Sequence, residues 1–96
     1  MVAVNWTFNA LEDLAHIAEY HALQSERFAK FLVDKLLFST DILAIFPKTG
    51  RIVPEFHNES VREILLSPYR IVYRVVSATQ IDILTVHHSA RPLSAF

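Results

Sequence analysis

The spacing of apolar residues changes near the middle of this 96-residue chain, at the turn-forming segment Pro47-Lys48-Thr49-Gly50. Before that segment, from about Ala10 onward, apolar side chains recur every three to four residues, as they do along an amphipathic helix. After it, they occur in short β-branched and aromatic runs, which are typical of strands. The sequence therefore predicts an α+β fold, in which two N-terminal helices pack on one face of a mainly antiparallel sheet of four to five strands.

The first elements follow from alternation and from a helix-capping pattern. The segment Val2 to Phe8 alternates between apolar and smaller or polar residues, which predicts a strand that joins the edge of the sheet. Asn9 precedes Glu12 by three residues, the spacing of a capping box. This pattern predicts a first helix from about Ala10 to Ala22.

A second helix is expected between Ser25, a favourable N-cap, and Pro47, which cannot continue a helix. The polar cluster Ser39-Thr40-Asp41 predicts that this helix is kinked or divided. Trp6 and the seven phenylalanines are expected in the core, because large aromatic side chains bury most surface there. Phe96, at the end of the chain, is the exception and is expected to be exposed.

Three runs in the C-terminal half predict consecutive strands, over Val61 to Leu66, Tyr69 to Val76 and Ile81 to His87. The intervening segments have hairpin lengths, so we expect an antiparallel meander within a single domain spanning residues 1–96. On the middle strand, Arg70 and Arg74 point to the same side. This arrangement suggests that the helices leave that face of the sheet uncovered.

Composition excludes several classes of protein. The absence of cysteine removes disulfide frameworks, thiolate zinc sites and cysteine nucleophiles. Nine basic residues against ten acidic ones give a net charge of −1, which argues against binding nucleic acid by bulk electrostatics. No apolar run approaches the ~20 residues of a membrane span, and no signal-peptide pattern is present, so we expect a cytoplasmic protein without a membrane partner. The mean hydropathy of +0.28 is high for a small domain and suggests that a partner covers apolar surface.

The candidate functional residues are mostly cations of the C-terminal half. Every basic residue after position 50 is an arginine, the side chain best suited to bidentate contacts with carboxylates or phosphates; they are Arg51, Arg62, Arg70, Arg74 and Arg91. The alternative is that they are solvated cations on an exposed sheet face.

Histidines and carboxylates provide the remaining candidates. His57, His87 and His88 could act as acid or base near neutral pH, but neighbouring strand residues point to opposite faces, so His87 and His88 should not converge. The histidine spacing does not suit a metal, and no cofactor is predicted. Glu55, Glu63 and Asp82 could be acid or base groups. Glu63 beside Arg62 instead favours a cross-strand ion-pair network.

Several motifs, taken in order, resemble the RelE/ParE superfamily of type II toxins over nearly the whole chain. The matching residues are Trp6, Asp13-Leu14, Ile17, Tyr20, Ser25-x-x-x-Ala29, Leu43-x-x-Phe46-Pro47, Gly50-Arg51-x-Val53-Pro54-Glu55, Val61-Arg62-Glu63-Ile64, Pro68-Tyr69-Arg70-Ile71-Val72-Tyr73-Arg74-Val75 and Ile81-x-Ile83-Leu84-x-Val86-x-His88-x-x-Arg91. The resemblance implies a toxin that a cognate antitoxin neutralises by wrapping around it in a hetero-oligomer. It also implies contact with operator DNA only indirectly, through the antitoxin.

The superfamily contains mRNA-cleaving members like RelE and gyrase-poisoning members like ParE. When Tyr69-Arg70 is aligned with the RelE motif, the paired RelE lysines fall on Val61 and Glu63. The RelE post-strand arginine falls near Ser89 and its C-terminal tyrosine near Ala95. Only Arg70 matches, and ParE-like members share it. A carboxylate at position 63 would oppose a phosphate, so the resemblance favours a ParE-like inhibitor of DNA gyrase without a catalytic residue.

The gyrase hypothesis assigns target contact to six residues, which are Arg70, Arg74, His88 and Arg91, followed by Arg51 and Arg62. Arg62 and Arg70 could instead be structural or face the antitoxin. One alternative function is a ribosome-dependent mRNA endonuclease that uses His57 or His88 with Arg70. Another is a decayed toxin that still binds its antitoxin.

Overall fold

Two helices lie on one face of a five-stranded sheet in the computed structural model, which describes residues 1–91 and 93. The elements along the chain are β1 (Ala3–Trp6), α1 (Phe8–Ala22), α2 (Glu26–Phe38), a 3₁₀ helix (Asp41–Ala44), β2 (Arg51–Ile52), β3 (Val61–Leu66), β4 (Tyr69–Ser77) and β5 (Gln80–His88). The strand order is β1-β5-β4-β3-β2, with β1 parallel to β5 and the other pairs antiparallel. The predicted α+β class and the position of β1 at the sheet edge are confirmed.

The predicted meander is formed by β3, β4 and β5. The bounds of β3 agree with the sequence prediction, whereas β4 and β5 are slightly longer because Ser77 pairs with Gln80 across their connection. A register shift between Val72 and Tyr73 shows that one extra residue of β5 bulges out of the ladder.

The start of α1 corrects the predicted cap. The N-cap is Thr7, whose hydroxyl accepts a hydrogen bond from the Ala10 amide at 3.3 Å and donates one to the Ile83 carbonyl at 2.6 Å. Asn9 lies inside the helix, and its side-chain amide donates to the Leu84 carbonyl at 2.9 Å. The prediction of Asn9 as cap was wrong because both polar side chains bind β5, a partner that local spacing does not reveal.

The second helical segment is divided, as its polar cluster indicated. Ser25 caps α2, and its hydroxyl accepts from the Phe28 amide at 3.1 Å. At the other end, the Ser39 hydroxyl donates to the Leu36 carbonyl at 2.6 Å and the Thr40 hydroxyl to the Leu37 carbonyl at 2.9 Å. These side chains compete with the backbone for helix carbonyls, and the chain continues as the short 3₁₀ helix.

Each face of the sheet carries its own core. The larger one lies under the helices and consists of Ala10, Leu14, Leu36, Leu43, Tyr69, Ile71, Tyr73, Ile81, Ile83 and Val86. The smaller one lies on the other face, called here the outer face, and contains Val53, Val61 and Val72. The segment 53–60 crosses the outer face there, and Phe56 packs against this small core. The helices leave the outer face uncovered, as expected.

The phenylalanines do not form the predicted core. Five of them are exposed, by fractions from 46% to 77%: Phe8, Phe28, Phe31, Phe38 and Phe46. Phe56 and Trp6 are half-buried, and Phe96 lies outside the described residues. The prediction was wrong because a domain of this size has a small interior, which aliphatic residues and two tyrosines already fill. No helix in the described part of the chain is long and apolar enough to cross a membrane.

Candidate functional site

The outer face carries a network of two arginines and two glutamates that links β2, β3, β4 and the segment 53–60. Arg70 donates from Nε to Glu63 Oε1 at 2.6 Å, and from Nη1 and Nη2 to the two oxygens of Glu55 at 2.7 and 2.8 Å. Glu63 also accepts from Arg51 Nε at 2.5 Å. We call these four residues the arginine–glutamate network.

The ion pairs of this network matter for stability because two of its side chains are buried. The Glu63 side chain is fully buried and that of Arg70 is 9% exposed, so each needs its partner to remain charged away from water. Hydrogen bonds from Arg70 lower the pKa of Glu55 to about 2. Hydrogen bonds from Glu55 and Glu63 raise the pKa of Arg70 above its already high value. Glu55 and Arg70 are therefore charged near neutral pH, and the formal charges of the two arginines and two glutamates cancel.

The cross-strand ion-pair network predicted at Glu63 is confirmed, but its arginines are Arg51 and Arg70 rather than Arg62. Arg62 does not pair with Glu63, because neighbouring residues of β3 point to opposite faces. The Arg62 guanidinium instead donates to the backbone carbonyls of Glu59 at 3.1 Å, Gly50 at 3.0 Å and Lys48 at 3.3 Å. Arg62 thus fastens the connections on both sides of β2 to the sheet.

The remaining outer-face candidates are more accessible. Arg51 lies at the rim of the network with its side chain 57% exposed. Arg74 is exposed on β4 and forms no hydrogen bond or ion pair with another described residue. His57 is exposed within the segment 53–60 and has a φ of 48°, a left-handed conformation that is uncommon outside glycine.

The other predicted cations lie at the opposite face, in an open cleft of about 450 Å³ between α1, the start of β4 and the end of β5. We call it the histidine cleft; it is lined by Asp13, His16, Ile17, Tyr20, Tyr69, His88 and Arg91. His88 pairs with Tyr69 across the two strands, and their rings meet edge to face with centroids 5.6 Å apart. His88 and Arg91 are therefore brought together, whereas Arg70 lies across the sheet from them.

Hydrogen bonds fix the floor and one wall of the histidine cleft. The Asp13 carboxylate accepts from the Thr85 hydroxyl and, at 3.0 Å, from the Val86 amide. The Ala90 amide donates to His88 Nδ1 at 3.1 Å. His87 points to the outer face beside Arg70, and one of its ring nitrogens lies 3.1 Å from the Arg91 carbonyl. His87 and His88 thus diverge, as the alternation of strand residues predicted.

A third surface is apolar and runs between α2 and β3. Its two hollows have volumes of about 190 and 360 Å³. The first is lined on the helix side by Phe28 and Phe31, and the second by Ile42 of the 3₁₀ helix. Leu65 and Leu66 of β3 form the opposite wall. We call this surface the apolar groove.

The apolar groove follows an unpaired strand edge. The ladder between β2 and β3 ends at the pair of Arg51 with Glu63. Among the described residues, no strand pairs with Ile64, Leu65 or Leu66 on that side. Unpaired backbone donors and acceptors beside exposed apolar side chains are features of a surface that binds an extended segment of another chain.

Sequence reasoning missed His16 and Tyr20 as candidates. They are four residues apart on α1, a spacing that places both on one helix face. That spacing alone does not indicate a site, because it does not reveal that β4 and β5 end beside this face. The exposed phenylalanines of α2 were missed for a related reason, since an amphipathic pattern does not tell whether the apolar face is covered by the same chain.

The comparisons with known proteins identify toxins or toxin-antitoxin systems. A family model described as the ParE toxin of the type II toxin-antitoxin system parDE matches residues 4–93. The toxin RelE2 of Caulobacter vibrioides is 30% identical over 91 residues, which cover 95% of this chain and 99% of that protein.

Two solved structures share the fold. A chain of the chromosomal ParDE system from P. aeruginosa superposes with a TM-score of 0.77 and 23% identity, covering 92% of this chain and 96% of that one. A chain of the toxin-antitoxin complex RelBE2 from Mycobacterium tuberculosis superposes with a TM-score of 0.59 and 22% identity. The match covers 91% of this chain and 96% of that one.

Proposed function

The chain belongs to the ParE toxin family of type II toxin-antitoxin systems, and on this premise we propose that it inhibits DNA gyrase and that a cognate antitoxin neutralises it. The observation that carries the gyrase assignment is the occupied state of Arg70. Each of its three guanidinium nitrogens donates to Glu55 or Glu63. A scissile phosphate at this arginine would have to compete with two carboxylates that already bind it.

An RNA-cleaving site needs cations that face the developing phosphate charge, with an acid or base next to them. The arginine–glutamate network is neutral overall, and a phosphate beside it would meet two carboxylates. The proposed nuclease partner His88 lies on the helix-covered face, opposite to Arg70. These features favour a toxin that acts by binding its target rather than by cutting RNA.

The histidine cleft is the surface that we assign to contact with gyrase. It contains two of the six predicted target residues, His88 and Arg91, and Arg91 makes no side-chain hydrogen bond or ion pair within the described residues. Arg74 and Arg51 remain accessible for a second contact on the outer face. Arg62 and Arg70 take structural roles in this proposal, because their guanidinium groups are already bound within the domain.

The apolar groove is the surface that we assign to the antitoxin. Two of the solved structures with this fold come from toxin-antitoxin systems, which supports an antitoxin partner. Lys35 lines the groove beside its phenylalanines, so the complementary segment is apolar with acidic residues. The toxin then reaches operator DNA only through the antitoxin, within a hetero-oligomer.

The test is a comparison of two activities of the purified protein. We expect it to inhibit supercoiling by gyrase and to increase cleaved plasmid DNA, while ribosome-bound mRNA stays intact. Arg91→Ala should weaken gyrase inhibition about tenfold, the usual cost of losing one important interface side chain. Arg27→Ala, which removes an exposed arginine of α2 outside the cleft, is the matched control and should inhibit normally. Cleavage of mRNA by a protein that leaves gyrase active would overturn the assignment.

A further inference from the structure

Two side chains of the histidine cleft, His88 and Arg91, carry donors that no described residue accepts. Its one carboxylate, Asp13, accepts from the Thr85 hydroxyl and the Val86 amide, both through Oδ2. His88 Nδ1 accepts from the Ala90 amide, so in the neutral ring Nε2 carries the proton and can donate. The guanidinium of Arg91 forms no hydrogen bond or ion pair with another described residue. Such a set is complementary to an oxyanion.

An aromatic wall stands beside these donors. Tyr20 is 71% exposed, and its ring contacts His21 edge to face at a centroid distance of 5.1 Å. His21 is fastened in turn, because its Nε2 lies 3.1 Å from the Tyr69 hydroxyl. The Tyr20 ring is thus supported from below and accessible to solvent, as in the stacking platforms that hold unpaired bases.

We propose that the histidine cleft binds a phosphate-bearing nucleotide of an unpaired nucleic-acid strand. Arg91 and His88 hold the phosphate by charge-assisted and neutral hydrogen bonds, and Tyr20 stacks on the base. The cleft volume of about 450 Å³ is within the range of sites for small ligands. A free phosphate would satisfy the donors but leave Tyr20 unused, which is why a nucleotide is the better occupant.

The net charge of the chain limits how this binding works. At −1, the protein does not attract nucleic acid over a distance, so affinity comes from a few local contacts. The dissociation constant should then rise with salt by a log–log slope of about 0.7 for each phosphate held, and one or two phosphates fit a cleft of this size. The inference relies on the proposed function only for the identity of the larger target, which is the DNA bound by gyrase. The chemistry of nucleotide binding does not depend on that function.

The experiment is a titration of the ¹⁵N-labelled full chain with a short 5′-phosphorylated oligothymidylate, followed by amide chemical shifts. Saturable shifts should cluster at Tyr20, His88 and Arg91. Arg91→Ala and Tyr20→Ala should each raise the dissociation constant about tenfold. Arg27→Ala, an equal loss of charge outside the cleft, should leave it unchanged. Both substituted cleft residues are exposed, so the circular dichroism spectrum and melting temperature should not change.

The outcomes separate this inference from the gyrase assignment, which a supercoiling assay tests with the same variants. Absence of binding, shifts located elsewhere, or equal losses for Arg27→Ala would overturn the inference even if gyrase is inhibited. Inorganic phosphate and thymidine serve as competitors, and each should displace the strand only weakly. Phosphate alone that binds as tightly as the strand would also overturn the inference, because Tyr20 would then contribute nothing. Strand binding without gyrase inhibition would uphold it and remove the proposed target instead.

Discussion

Arg62 and Glu63 are neighbours in the sequence but point to opposite faces of β3, and this alternation decides the roles of both. Glu63 turns to the outer face and joins Arg70 and Arg51, which come from the adjacent strands. The sequence contains the signal for a charged strand face, but it does not specify which charges meet. Register across strands selects these pairs, and register depends on the whole sheet rather than on neighbours in the chain.

Replacing Glu63 should be among the most destabilising charge changes in the domain. In Glu63→Gln the buried guanidinium of Arg70 loses one of its two carboxylate partners. Removal of one partner from a buried ion pair lowers the free energy of unfolding by about 3–5 kcal/mol. Urea unfolding at neutral pH measures the difference. Glu59→Gln is the control, because Glu59 is exposed and its carboxylate makes no ion pair with a described residue. A Glu63→Gln protein as stable as wild type would contradict the buried network.

Glu55 should make the free energy of unfolding depend on pH in the acidic range. Its pKa in the folded chain is about 2, below the ordinary value of 4.5, because Arg70 binds the ionised form. The stabilisation is therefore complete above about pH 4.5 and is lost as the pH falls towards 2. The carboxylate is 35% exposed, so solvent screening makes the effect modest. Urea midpoints measured across this interval should fall less steeply for Glu55→Gln than for wild type, and parallel curves would refute the assignment.

At the scale of elements, the connection between the helices and the sheet depends on one glycine and one tyrosine. The Gly50 amide donates to the Tyr73 hydroxyl at 3.0 Å, and that hydroxyl donates to the Pro47 carbonyl at 2.8 Å. A Cβ at position 50 would lie 2.6 Å from the Glu63 carbonyl oxygen. The Pro47–Gly50 turn was predictable from its composition, but its attachment to a buried phenol was not, because Tyr73 is more than twenty residues away.

Two substitutions test this attachment. Tyr73→Phe leaves one buried amide and one carbonyl without their partner, which should cost about 1–3 kcal/mol. Gly50→Ala should cost a similar amount, because the new methyl group overlaps backbone and phenol atoms that cannot both move aside. Thermal unfolding measures both, with the exposed neighbour Thr49→Ala as control. If Gly50→Ala melted at the wild-type temperature, the close packing around the turn would be refuted.

The apolar groove between α2 and β3 makes a prediction about the partner. Phe31→Ala removes an exposed ring of the groove and should weaken binding of the antitoxin at least tenfold, as for an aromatic anchor of an interface. Phe8→Ala removes another exposed ring, at the start of α1 and outside the groove, and is the control. Titration calorimetry with the purified antitoxin provides the measurement. If both variants weakened antitoxin binding equally, the antitoxin would have to bind elsewhere.

At the scale of the whole molecule, the sequence predicted the layers and the order of the elements better than it predicted the surfaces. The change of apolar period at Pro47 was sufficient for the α+β class, because period is a local property of the chain. Burial of the phenylalanines was predicted wrongly, because it depends on how much interior a small domain has and on whether a partner completes it. The excess apolar surface is consistent with a chain whose functional unit includes a second protein.

The central claim is that this toxin of the ParE family acts on gyrase rather than on mRNA. Pulse-labelling of DNA and protein synthesis in parallel, after tightly controlled induction in bacteria, tests it most directly. The account predicts that DNA synthesis falls first, with induction of DNA-damage signalling, while translation continues. An immediate fall in protein synthesis, with DNA synthesis following later, would contradict it and return His57, His88 and Arg70 to consideration as a nuclease site.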